Sequence, residues 1–91
     1  MELTELRREI DAIDRELVEL LERRMDMAAG VAQYKMTRGL PVLDAGREAE
    51  KLDAIRAMCR PETRSHIAGL FGHIMAASRA YQTSLMEQDH E

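Results

Sequence analysis

Arg24 and Lys35 are the first residues in this chain with the makings of a site. They lie eleven positions apart, three turns of an α-helix, so their side chains leave the axis within ~20° of each other. Their Cα atoms would be ~16 Å apart along that axis. Two long cationic side chains at that separation can converge on one small dianion between them. Ser78 and Gln82 stand one helical turn apart and add hydrogen-bonding groups to a mostly apolar face. Arg47 and Glu48 add a second arginine and an acceptor. Taken singly, each is unremarkable: Arg24, for one, can snorkel or set helix register. An arginine, a lysine, a serine and a glutamine all directed inward would cost too much burial free energy without a use. The set contains cations and donors but no nucleophile. No Ser/His/Asp or Cys/His constellation and no Gly-rich phosphate loop is present. His66, His73 and His90 lack a metal-ligand spacing, and Glu22-Arg23-Arg24-Met25 is not a Glu-x-x-His motif. The expectation is a site without metal or cofactor that binds an anion or acts by electrostatics.

Three helices must position these groups. Leu3, Leu6, Ile10, Ile13, Leu17, Leu20, Arg24, Met27, Val31 and Tyr34 recur at alternating steps of three and four. That a/d spacing predicts one long helix, unbroken until Gly39-Leu40-Pro41. From Leu3 to Arg38 it would run ~54 Å. A compact chain of 91 residues has a radius of gyration near ~12 Å, so the helix overhangs any fold the chain can make alone. Its apolar stripe therefore needs a second copy. Thr4 or a neighbour can cap its start, and Gly30 implies a close helix approach. Arg7 belongs to a charge ladder, Arg7, Asp11, Arg15, Glu19 and Arg23, at i, i+4 spacing. It also sits beside the stripe, where side chains reach across to a partner helix.

Asp44 is a candidate N-cap for a second helix of about four turns, with Leu52, Ile55 and Met58 or Cys59 on its apolar side. Pro61 suits the first position of a third helix. There Ile67, Leu70, Phe71, Ile74, Ala77, Ser78, Tyr81, Gln82 and Leu85 form one broad face. The polar tail from Glu87 to Glu91 is expected to fray. The order is long, short, long: an all-α chain forming a single domain over residues 1–91.

Composition narrows the partners. A hydrophobic fraction of 45% with 33% charged residues and periodicity throughout describes a helical, water-soluble chain. The only aromatics are Tyr34, Phe71 and Tyr81, and the net charge is -4, so nucleic acid is not an expected ligand. An anionic ligand would need a local cluster of cations working against that overall charge. Cys59 is alone, no apolar run approaches the ~18 residues of a membrane span, and the acidic start lacks an apolar signal region. A cytoplasmic protein without membrane contact is expected.

Leu6-Arg7-x-x-Ile10-x-x-Ile13-Asp14, Leu20-Leu21-x-x-Arg24 and Val31-x-x-x-Lys35 together resemble the all-helical chorismate mutases. Pro41-Val42-x-Asp44-x-x-Arg47-Glu48 and Ser78-x-x-x-Gln82 extend the resemblance to nearly the whole chain, Leu3 to about Leu85. Each motif is weak alone; their joint order and spacing are specific. The resemblance implies an intertwined homodimer of three-helix protomers that rearranges chorismate to prephenate, in aromatic amino-acid biosynthesis, without a cofactor. It further implies that Arg24 and Arg47, helped by Ser78, hold the substrate carboxylates. Lys35 and Gln82 would hydrogen-bond the ether oxygen, Glu48 would accept from the ring hydroxyl, and the backbone near Asp44 would donate. Arg7 would act in the partner's site. That agrees with its distance of ~25 Å from Arg24 along one helix, too far to share a small ligand in cis. Met25, Met27 and Met36 enrich the first helix in methionine, and Leu43 stands where a basic residue is often seen. Two alternatives remain. An isochorismate-pyruvate lyase of the same fold shares the cations, but departs from the Asp44-x-x-Arg47-Glu48 pattern that is intact here. A non-catalytic helical dimerisation module would have no need of Arg24, Lys35 or Gln82.

Overall fold

The computed structural model describes residues 1–88, with three helices in the expected order: α1 (Leu3–Arg38), α2 (Ala45–Met58) and α3 (Arg64–Gln88). No strand occurs among the described residues, and the protein is all-α. None of the helices is long and apolar enough to cross a membrane.

α1 is a single unbroken rod. It starts after Glu2 without any side-chain cap, so the expected role of Thr4 is not realised. The Thr4 side chain lies inside the first turn, where the Leu6 N–H already bonds the Glu2 carbonyl. The far end is sharply stopped. Gly39 takes a left-handed φ of 64°, which a residue with a Cβ rarely adopts. Its N–H donates to the Met36 carbonyl and that of Leu40 to the Lys35 carbonyl, the paired bonds of a Schellman motif. Pro41 then prevents the helix from resuming.

α2 is capped as expected. An Asp44 carboxylate oxygen accepts the Arg47 backbone N–H at 3.0 Å, satisfying a donor the helix itself leaves open. At the other end the Arg64 guanidinium donates to the carbonyls of Arg56 and Cys59. The start of α3 thereby closes the end of α2. Pro61 does not open α3. It lies in a turn closed by the Thr63 N–H on the Arg60 carbonyl, and the helix begins three residues later. The fixed φ of proline suits either position, and Arg64 needs this turn to reach back. At the C-terminal end, Glu87 and Gln88 belong to α3 rather than to a frayed tail; the rest of that tail, with His90, lies outside the described residues.

α3 packs against both α1 and α2, while α1 and α2 do not pack on each other. The buried apolar side chains are few and mostly small: Ala28 and Ala32 of α1, Ile55 of α2, Ala68 and Met75 of α3. Close approach of α1 to α3 is thus made by the two alanines and not by Gly30, which is exposed with open space around its Cα. The buried line of α3 runs through Ala68, Met75, Ser78 and Gln82, rotated from the expected face, so Leu70 and Ala77 point outward. The heptad stripe is also left open. Leu3, Leu6, Ile10, Ile13, Leu17 and Leu20 all lie exposed. The chain measures 53 × 27 × 14 Å with a radius of gyration of 16.4 Å, well above the ~12 Å of a compact chain this long. The N-terminal half of α1 stands exposed, beyond the packed part of the described chain.

Candidate active site

The C-terminal half of α1, the loop after it, the start of α2 and the middle of α3 enclose a cleft of about 380 Å³. That is within the usual range for small-molecule sites. Each wall follows from local structure. Arg24, Ala28 and Lys35 share one face of α1, and the small Ala28 lets the two long cations frame an open space. The Asp44 cap fixes the first turn of α2 and so presents Arg47 and Glu48. Ser78 and Gln82 come from the buried line of α3.

Seven of the eight residues picked out in the sequence meet here: Arg24, Lys35, Asp44, Arg47, Glu48, Ser78 and Gln82 all line the cleft. Arg7 does not. It lies exposed on the projecting half of α1, outside the cleft. Two lining cations went unnoticed in the sequence, Lys51 and Arg79. Lys51 follows Arg47 by one helical turn, and Arg79 precedes Gln82 by three residues, so i, i+3 and i, i+4 spacing from the known residues was the available signal.

Five cations thus face two carboxylates in the cleft of a chain whose net charge is -4. The local field is opposite in sign to that of the whole molecule and suits an anion. Lys35 Nζ donates to the Val42 carbonyl at 2.7 Å and keeps two further N–H bonds to give. Arg79 Nη1 donates to Glu48 Oε1 in a half-buried ion pair. Gln82 Nε2 donates to Ser78 Oγ at 3.2 Å, which leaves its second N–H available. Gln82 Oε1 is buried without a partner. An acceptor so placed costs about 1–3 kcal/mol until a donor arrives. Among the described residues, Arg24 and Arg47 take part in no ion pair.

A small all-α protein whose cleft gathers cations and hydrogen-bond donors from three helices belongs to the class that binds small anions. Comparison with known proteins makes this specific. The profile of the family described as chorismate mutase type II matches residues 6–83, and the chain belongs to that family, as an isomerase by class. It is similar to a chorismate mutase of Methanocaldococcus jannaschii, with 31% identity over 88 residues covering 94% of this chain and 89% of that protein. A T-protein of Enterobacter agglomerans is 42% identical over 55 residues, 60% of this chain but 15% of that protein. A 4-amino-4-deoxychorismate mutase of Streptomyces venezuelae is 41% identical over 46 residues, 50% of this chain and 45% of that protein. No solved structure gives a significant match.

Proposed function

We propose that the chain rearranges chorismate to prephenate, a step in aromatic amino-acid biosynthesis, and does so in a homodimer. The observation that carries this reading is the convergence of Arg24, Lys35, Arg47, Glu48, Ser78 and Gln82, drawn from all three helices, on one small cleft. Arg24 and Arg47 take the two carboxylates through charge-assisted hydrogen bonds, with Ser78 adding a hydroxyl. Holding both ends of a flexible dianion selects the chair in which the bond-forming termini meet, an orientational contribution to rate. As the C–O bond breaks, negative charge grows on the ether oxygen. Lys35 and the free N–H of Gln82 oppose that charge from fixed positions in the cleft. The reaction moves no proton and needs no base. The remaining oxygen of Glu48 accepts from the ring hydroxyl, and backbone donors near Asp44 complete the shell.

Arg7 enters this scheme from a second protomer. The exposed half of α1 that carries it needs apolar cover, and an antiparallel partner helix would bring its Arg7 toward Arg24. A cytoplasmic setting agrees with the single thiol of Cys59.

The relative named as a 4-amino-4-deoxychorismate mutase raises a second substrate, identical except that an amine replaces the ring hydroxyl. Glu48 is the group that would meet this difference. The test is direct: purified protein is given chorismate or isochorismate and the products are identified by NMR. Prephenate from chorismate is expected. Pyruvate and salicylate from isochorismate would indicate a lyase, and no turnover of either would indicate a non-catalytic module.

A further inference from the structure

Among the described residues, Arg79 is the one cleft cation already committed to another side chain. It sits on α3 between Ser78 and Gln82 and reaches over to α2, where its guanidinium is paired with Glu48, 31 positions away in sequence. The contact is sheltered, with 35% of the Arg79 side chain and 25% of the Glu48 side chain exposed. Lys51, one turn further along α2 on the same side, lines the cleft with them. Glu48 thus meets a ligand as half of an ion pair, with a second cation nearby.

This changes what the carboxylate can recognise. A free carboxylate attracts an ammonium more strongly than a hydroxyl. One already neutralised by a guanidinium still has lone pairs for a neutral O–H donor. An incoming ammonium, however, would gain little from the shared negative charge and would be set against the fixed positive charges of Arg79 and Lys51. We propose that Arg79 is a specificity-determining residue, which by pairing with Glu48 makes the site select a ring hydroxyl over a ring ammonium. The inference rests on the reading above in which Glu48 faces the ring substituent.

The experiment measures kcat/KM for chorismate and for its ring-amino analogue in the parent and in two variants, Arg79→Leu and Arg79→Lys. The parent prefers chorismate. Arg79→Leu frees Glu48 and shifts the ratio toward the amine by about tenfold or more, while Arg79→Lys, which keeps the charge, holds the ratio near the parent's. A merely structural role for Arg79 would lower both substrates together and leave the ratio unmoved; that result, or a parent that prefers the amine, overturns the inference. Should Arg79→Leu lose its helical circular dichroism, Arg79→Gln removes the charge while keeping length and a donor, and the same ratio decides. A parent inactive on both substrates would instead overturn the reading of Glu48 and this inference with it. A parent active on chorismate, with a ratio indifferent to Arg79, overturns the inference alone.

Discussion

Lys35 Nζ lies 2.7 Å from the Val42 carbonyl oxygen, joining the last turns of α1 to the loop that leads into α2. One ammonium therefore has two duties. It points positive charge into the cleft, and it anchors the backbone from which Asp44, Arg47 and Glu48 follow. Removing it should damage both rate and binding. Lys35→Ala is expected to lower kcat by about 10²–10³, as for loss of a donor to a developing oxyanion. KM should rise as well, because the loop loses its tether. Steady-state kinetics on chorismate separates the two effects; a variant with kcat unchanged and only KM raised would reduce Lys35 to a structural anchor.

The exposed stripe of α1 makes a prediction about mass. Ile10 and Ile13 are each 54% exposed, left uncovered by the described residues. Apolar burial contributes roughly 25 cal/mol per Å², so a matching stripe on a second chain is a strong driving force. Light scattering at micromolar concentration should return about twice the 10.4 kDa chain mass. A folded species at the single-chain mass would exclude the intertwined dimer.

Arg7 offers a test in trans. Arg7→Ala and Arg24→Ala chains should each be nearly inactive alone. Unfolded together and refolded, they form heterodimers in which one site carries both lesions and the other carries neither. Up to half of the parental activity per heterodimer should return. Heterodimers that form yet stay inactive would show that Arg7 does not complete a partner's site.

Much of this was legible in the sequence because it is written in local spacing. The heptad from Leu3 to Tyr34 has no competing signal, and Gly39-Leu40-Pro41 and Asp44 each carry a specific stop or start chemistry. Arg24, Lys35, Ser78 and Gln82 stand out because α1 and α3 each bear polar groups on otherwise apolar faces, and Asp44, Arg47 and Glu48 because they form the cap and first turn of α2; all seven line the cleft. Where the reading failed, the sequence was ambiguous in physical terms. Pro61 fits a turn as well as a first helical position. α3 is apolar on more than one side, so periodicity alone did not reveal that Ala68 and Met75 face inward while Leu70 faces out. Spacing from Gln82 can place Arg79 near the cleft, but its pairing with Glu48, 31 residues away, leaves no local pattern. Gly30 was credited with a close approach that Ala28 and Ala32 make instead.

The proposed stabilisation of the ether oxygen depends most sharply on Gln82. Its amide is a donor at every ordinary pH, and among the described residues only one of its two N–H bonds is taken, by Ser78. Gln82→Glu preserves the size and puts a titratable group at the same point. Ionised, the carboxyl is an acceptor only and repels the oxygen; protonated, it donates much as the amide does. The variant's kcat/KM should therefore be low near neutrality and rise as pH falls through the pKa of the new carboxyl, while the parent stays comparatively flat. Loss of one such donor typically costs about 10²–10³ in rate, so the difference between the two profiles should be large. The decisive measurement is kcat/KM for chorismate against pH in both proteins, with helicity checked at each point. Recovery of the Gln82→Glu variant at low pH is the expected result, and a profile parallel to the parent's at every pH would contradict it.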